Sequence, residues 1–279
     1  MNTGFSDAAL VLIGHGTTVN RESAAPVYQH ATALRARHLF AEVREAFWKQ
    51  EPGIRAVLSS ITARRIFAVP LFVSEGYFTE EKIPAELGLC QPGAKEFARV
   101  RQYGERTLHY CAPVGTHPSM TGVILARARA VAERYPFPRA PQPGETALFI
   151  AGHGTSRNEN SRCAIERQAE LIRLQGSYGE VQAVFIEEDP RIGDCYALAG
   201  ARHLVVVPFF ISDGLHACED IPVLLGEPEP IVRGRLDKGQ PAWRNPTEKH
   251  GKLVWYAGSV GTDPGLAEVI MERAREAAR

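Results

Sequence analysis

Apolar positions along the chain fall into short unbroken runs separated by longer stretches of helical period. Ala9-Leu10-Val11-Leu12-Ile13 precedes Gly14-His15-Gly16-Thr17, and Ala147-Leu148-Phe149-Ile150-Ala151 precedes Gly152-His153-Gly154-Thr155. Two longer runs, 66–73 and 204–211, are apolar at nearly every position. Runs of this kind suit strands covered on both faces, as in a parallel sheet flanked by helices. Between them the pattern predicts helices over roughly 24–39 and 163–174, strands over 43–48 and 181–186, last strands near 108–112 and 253–257, and closing helices over 120–134 and 266–278. The expected fold is therefore α/β, built twice from βαβ units.

The repetition is exact in register. At an offset of 138, Asn20 aligns with Asn158, Glu42-Val43 with Glu180-Val181, Phe47 with Phe185, and Pro52 with Pro190. Val69-Pro70 aligns with Val207-Pro208, Ser74 with Ser212, Gly76 with Gly214, and Ile83-Pro84 with Ile221-Pro222. Near the end of each copy the offset becomes 146, where Gly115-Thr116 and Pro118 match Gly261-Thr262 and Pro264, so eight extra residues lie in the second copy. A shared register over about 70 residues marks internal duplication. The expected domains are 1–138 and 139–279, two tandem Rossmann-like parallel-sheet domains, with the proline-rich stretch 135–144 as linker. The segment 226–250, rich in proline and charge, reads as a long loop, either a lid or a passive excursion.

Composition narrows the function classes. With 44% hydrophobic residues among 279, the chain can bury a large core, and no apolar run is long enough to span a bilayer. The N-terminus has no basic stretch leading into an apolar segment, so a cytoplasmic protein without a membrane partner is expected. Thirty-two basic and thirty-two acidic residues balance, which gives no reason to expect a nucleic acid partner. Five cysteines, with no CxxC pair, argue against a disulfide framework or zinc knuckle and read mostly as buried fillers. Neither GxGxxG nor GxxxxGK[ST] occurs, so no nucleotide or organic cofactor is expected.

Open parallel sheets collect chemistry at the carboxyl ends of their strands. There the second copy places His153 after its first strand, Glu187 and Glu188 after its second, and His216 after its third. Two imidazoles and a carboxylate can hold a divalent cation or move protons near neutral pH. The first copy is an internal control: His15 matches His153, but Lys49 faces Glu187, Gln50 faces Glu188, and Phe78 faces His216. Folding alone therefore does not demand the second-copy set. Phe78, with Tyr77 and Trp48, offers instead an aromatic surface that can line the pocket of a flat ligand.

These motifs carry a resemblance. Strand-GHGT, Phe185-Ile186-Glu187 ahead of Pro190, and Val207-Pro-Phe-Phe-Ile-Ser-Asp-Gly-Leu-His216 followed by Asp220-Ile-Pro222 resemble the CbiX-type sirohydrochlorin chelatases, class II chelatases, in a long form with two tandem domains. The resemblance implies insertion of Co²⁺, or of Fe²⁺ in relatives that make sirohaem, into a tetrapyrrole without ATP, in an active-site cleft between the domains. It implies His153, Glu187 and His216 as the catalytic set. The candidate metal ligands are His153, His216, Glu187, the adjacent Glu188, and His15 if it reaches the cleft. The macrocycle's carboxylates would need donors, for which Arg157, Arg162 and Arg21 are candidates, with Arg233, Arg235 and Arg244 in the inserted segment, while Phe78 would contact the ring. His117 is a weaker site candidate. The expected partners are a sirohydrochlorin-like tetrapyrrole and a divalent metal as substrate, on a monomer or homodimer. A non-catalytic carrier of metal or tetrapyrrole on the same scaffold is the alternative.

Overall fold

The computed structural model describes residues 4–17, 23–94, 96–155 and 159–279. The first copy runs β1 (Ala8–Gly14), α1 (Ala25–Arg35), β2 (Glu42–Phe47), α2 (Ile54–Ser60), β3 (Arg65–Pro70), a π-helical turn (Phe78–Lys82), α3 (Ile83–Glu86), β4 (Val100–Tyr103), β5 (Arg106–Tyr110) and α4 (Met120–Arg134). The second runs β6 (Thr146–Gly152), α5 (Asn160–Gln175), β7 (Glu180–Phe185), α6 (Cys195–Leu198), β8 (His203–Pro208), a π-helical turn (His216–Asp220), α7 (Ile221–Leu224), α8 (Glu229–Leu236), β9 (Thr247–Lys249), β10 (Lys252–Tyr256) and α9 (Leu266–Ala277). No helix among the described residues is long and apolar enough to cross a membrane.

Two five-stranded sheets result, ordered β2-β1-β3-β5-β4 and β7-β6-β8-β10-β9. Four strands of each are parallel, and every residue of the near-central β1 and β6 is buried, as their unbroken apolar runs require. The sheets are mixed rather than wholly parallel, because β4 and β9 add antiparallel edges. Both edges are short and polar, Val-Arg-Gln-Tyr and Thr-Glu-Lys, which is how exposed edges avoid pairing with other chains.

The segment 226–250 is not one long loop. Pro228 and Pro230 stand at the start of α8, where a missing N–H costs nothing because first-turn amides have no helical partner. The Glu227 carboxylate, almost fully buried, pairs with Arg235 at 2.9 Å and Lys249 at 3.0 Å. Trp243 is buried and donates Nε1–H to Val254 O. The cysteine expectation is corrected as well. Cys111 and Cys195 are buried, their thiols pushed up to about 12 by burial, whereas Cys90 and Cys218 are half-buried and Cys163 is exposed.

The compact units do not follow the sequence repeat. One comprises Met1–His117 with Pro264–Arg279, the other Pro118–Asp263. The chain leaves each unit at equivalent bonds, His117–Pro118 and Asp263–Pro264, so each copy's closing helix covers the other copy's sheet: α9 packs on β3 and α1, and α4 on β8 and α5. Equivalent arginines pin both helices. Arg273 donates to Pro113 O (2.8 Å) and Thr116 Oγ1 (2.6 Å), and Arg127 donates to Thr262 Oγ1 (2.6 Å). The stretch 135–144, expected as linker, lies wholly inside the second unit.

Candidate functional site

In the second unit, β6 delivers His153 to the carboxyl edge of its sheet. Gly154 follows with φ +67°, a left-handed conformation, and a β-carbon there would stand 3.1 Å from Phe185 Cβ and 3.2 Å from Glu188 Cβ. This tight turn lets the backbone lock onto the end of β7, where Glu187 N donates to His153 O at 2.9 Å. The Glu187 carboxylate consequently lies beside the ring, with Oε2 3.8 Å from His153 Nδ1.

His216 arrives by a different device. Pro222 has no N–H to donate to Cys218 O, so the turn ahead of it opens to a π-helical one in which Ile221 N donates to His216 O. Tyr256 Oη donates to Ala217 O at 2.6 Å and fixes the turn to the end of β10. The preceding segment is clamped too. Gly261 N donates to Phe210 O, and a β-carbon at Gly261 would meet Ile211 O at 2.0 Å, so only glycine permits this approach. Asp213 Oδ1 accepts from Ser259 N at 2.8 Å.

The two imidazoles meet edge to face, ring centroids 4.8 Å apart at 82°. His153 Nδ1 lies 2.6 Å from Gly154 O, and a carbonyl can only accept, so the proton sits on Nδ1. His216 Nδ1 lies 2.6 Å from Asp220 Oδ2, and this carboxylate imposes the same tautomer. In their neutral forms both rings therefore keep the Nε2 lone pair for a ligand. The side chains of His153, His216 and Glu187 are 36%, 44% and 53% exposed, open enough to meet a substrate. Among the described residues no group of three or more His, Cys, Asp or Glu comes together so as to hold a metal ion.

The structure thus brings together His153, His216 and Glu187, and it gives Glu188 other work. Glu188 Oε1 accepts from Thr155 N while Oε2 pairs with Arg162 Nη1 at 3.2 Å. Gln50 repeats the first bond in the other copy, accepting from Thr17 N, which marks this position as a clamp on the GHGT loop. Arg162, expected to meet substrate carboxylates, is held by Glu188 and Glu166 and lies over the Phe185 ring. Arg233 pairs with Glu229, and Arg235 with the buried Glu227. His117 is buried against Glu276, and burial, together with Arg273, holds its pKa below the usual histidine range. Arg21 and Arg157 lie outside the described residues.

Asp220 is the residue that the sequence reading passed over. Its spacing of four from His216 was the available signal, since such pairs share one face of a helical turn.

In the first unit the equivalent edge holds His15, with Nδ1 2.7 Å from Gly16 O. Around it stand Phe78 (4.6 Å, edge-on) and Trp48 (5.5 Å), not a second imidazole. Burial and the positive charge of Lys49 hold the His15 pKa below its ordinary value, with the Gly16 contact acting the other way.

A doubly wound scaffold with paired imidazoles and a carboxylate at its strand ends is compatible with divalent-metal chemistry. A CbiX family model matches residues 9–131 and 147–277, and the chain belongs to the CbiX family. A probable sirohydrochlorin cobaltochelatase of Halobacterium salinarum is 43% identical over 279 residues, covering 96% of this chain and 91% of that protein. A sirohydrochlorin cobaltochelatase of Methanopyrus kandleri is 34% identical over 139 residues, 47% of this chain and 96% of its own length. Among solved structures, a multi-domain Deinococcus radiodurans protein described as similar to chelatases matches with TM-score 0.77 and 32% identity over 97% of this chain and 55% of that one. SirB from Bacillus subtilis with Fe³⁺ matches at TM-score 0.69 over 97% of this chain and 95% of that one, and its 17% identity speaks to the fold alone.

Proposed function

We propose that this chain inserts a divalent metal, Co²⁺ first and Fe²⁺ second, into sirohydrochlorin or a closely related tetrapyrrole without nucleotide hydrolysis. The observation that carries this reading is the His153–His216 pair, both Nδ1 atoms occupied by acceptors and both Nε2 atoms left for chemistry. Insertion binds one dication and releases two protons from ring nitrogens. Imidazole nitrogen suits cobalt, iron, nickel and zinc alike, and two imidazoles beside one carboxylate hold such an ion loosely enough to give it up to a tetradentate macrocycle. The same Nε2 atoms can accept ring protons once the ion has passed to the macrocycle, and the Glu187 carboxylate, 3.8 Å from His153 Nδ1, would balance the resulting imidazolium charge. The cobaltochelatase names of the relatives support cobalt as the metal.

The test is metallation of sirohydrochlorin by purified, metal-free protein, followed by absorbance on addition of Co²⁺ or Fe²⁺. His153→Ala and His216→Ala should each abolish the enzymatic rate, and His15→Ala should cost much less. Tight retention of metal or macrocycle with no acceleration would turn the assignment into that of a carrier. Full activity in His216→Ala would remove the proposed roles.

A further inference from the structure

At the amino ends of β3 and β5, the end of the first sheet away from its Gly-His-Gly turn, lies a cavity of about 120 Å³. Leu58, Ile66, Leu87 and Leu108 wall it, together with Tyr103 and Arg106. Leu58, Ser59 and Leu87 are shared with a wider basin of about 560 Å³, whose wall carries Arg55, Glu86 and Arg101. An apolar recess thus adjoins a charged one.

The second copy fills the same corner with its own side chains. Tyr196 of α6 stands at the position of Leu58, and its hydroxyl donates to Leu225 O at 2.7 Å. In the first copy the equivalent carbonyl, Leu87 O, accepts from Tyr103 Oη of β4 at 2.6 Å. The same backbone group is satisfied from the sheet side instead of the helix side, and Leu58 has no ring to put in the place that Tyr196 occupies. The second copy also has Glu227 where the first has Leu89, paired with Arg235 of α8 and with Lys249. Among the described residues the first copy has no helix between α3 and β4 to match α8.

The lining sets what such a recess can take. An apolar cavity of about 150 Å³ stays dry and accepts a benzene-sized molecule, and Tyr196 shows that this corner of the fold accommodates a ring. Among the described residues lining cavity and basin, three guanidiniums stand against one carboxylate. Glu86 pairs with Arg55 at 2.6 Å, and Arg106 donates to Ile61 O at 3.0 Å and Leu58 O at 3.3 Å. Arg101 donates to Gly88 O and lies 5.1 Å over the Tyr103 ring, which holds its unneutralised charge where the two recesses adjoin. A ring-sized apolar space beside such a guanidinium suits an aromatic acid, whose ring leaves water while its carboxylate meets the cation.

We propose that this recess of the first unit binds a small aryl carboxylate, its ring among Leu58, Ile66, Leu87 and Leu108 and its carboxylate at Arg101. None of these residues belongs to the proposed metallation set, and the site does not rest on the function proposed above.

The experiment titrates the full-length, metal-free protein with 3-phenylpropionate and reads heat and the amide chemical shifts of Leu87 and Leu108. Leu58→Tyr, which writes the second copy's residue into the first, should weaken binding by about tenfold or more, because the ring's place is then taken. Arg101→Gln should weaken it by about two- to fivefold, while the neutral analogue 3-phenylpropan-1-ol should bind that variant and the unmodified chain alike. If Leu58→Tyr fails to fold, Ser59→Trp, at an exposed position shared by both recesses, carries the test with the same expected loss. No binding of 3-phenylpropionate by the unmodified protein, or unchanged affinity in well-folded filled variants, overturns the proposal. Equal losses of acid and alcohol in Arg101→Gln would overturn the pairing of the carboxylate with Arg101.

Discussion

The two copies build the same sheet edge and equip it oppositely. Both end their first strand in Gly-His-Gly, both follow the third with a π-helical turn set by a proline, and both tie that turn to the last strand through a tyrosine hydroxyl, Tyr110 or Tyr256. Because the backbone devices are shared, they account for the fold and not for the chemistry. The difference lies in four side chains: His216, Glu187, Glu188 and Asp220 against Phe78, Lys49, Gln50 and Lys82. Two of these exchanges reverse charge and one removes an imidazole, while Glu188 and Gln50 make the same bond to the GHGT loop. Equivalence between copies therefore separates what the scaffold needs from what the reaction needs.

The sharpest way to break that comparison is at Asp220. Its contact with His216 Nδ1 fixes the ring's tautomer and orientation, and loss of such an outer partner costs about 10–100-fold in metal affinity or activity. Asp220→Lys, which writes the first copy's residue into the second, should give at least that loss, with Asp220→Asn near its lower end and Asp220→Glu partly restoring the rate. Metal and macrocycle should be varied separately in steady-state metallation assays. The defect should appear in kcat and in KM for metal, with KM for the macrocycle unmoved. A uniform loss in all three, accompanied by a lowered melting temperature, would reduce Asp220 to a structural role.

How far the sequence reached follows the same division between local pattern and tertiary partner. Unbroken apolar runs located β1, β3, β6 and β8, and the constant offset exposed the duplication, because strand burial and register are written locally. That His153, Glu187 and His216 would lie together was legible from their places at strand ends. The edge strands β4 and β9 were not, since exposed polar residues carry no alternation to read. Prolines hid α8 because their tolerance in a first helical turn looks the same as a loop. Arg162 was read as a substrate donor because its carboxylate partner Glu188 lies 26 residues away. The exchange of α4 and α9 was invisible for a deeper reason: an amphipathic helix declares that it has a buried face, not whose sheet will cover it.

That exchange gives a second, smaller contrast. Arg273 is almost fully buried and satisfies both Pro113 O and Thr116, whereas Arg127 is more exposed and bonds Thr262 with Asp263 nearby at 3.3 Å. Removing Arg273 strands a buried carbonyl, so Arg273→Ala should lower unfolding free energy by about 2 kcal/mol, and Arg127→Ala by about 1 kcal/mol. Urea denaturation resolves the two. Equal losses would mean that the latches are equivalent despite their different burial.

The smallest expected contrast is with pH. His15, His109 and His117 all belong to the first unit, and burial, the leading cause for each, holds all three pKa values below the ordinary 6.5. Arg65 adds to the effect at His109 and Arg273 at His117, while contacts with Gly16, Ala277 and Glu276 act in the other direction. The second copy has Trp255 and Asp263 where the first has His109 and His117. An imidazole whose folded pKa is depressed takes up its proton more readily when unfolded. Its stabilisation is therefore complete above about pH 6.5 and is lost as pH falls from there toward the folded value. Between pH 7.5 and 5.5 the amides of β1 and β3 should lose more hydrogen-exchange protection, corrected for intrinsic rates, than those of β6 and β8. Equal losses in the two sheets would show that these three histidines do not make the first unit the more acid-sensitive, and would leave the contrast between the copies confined to the site.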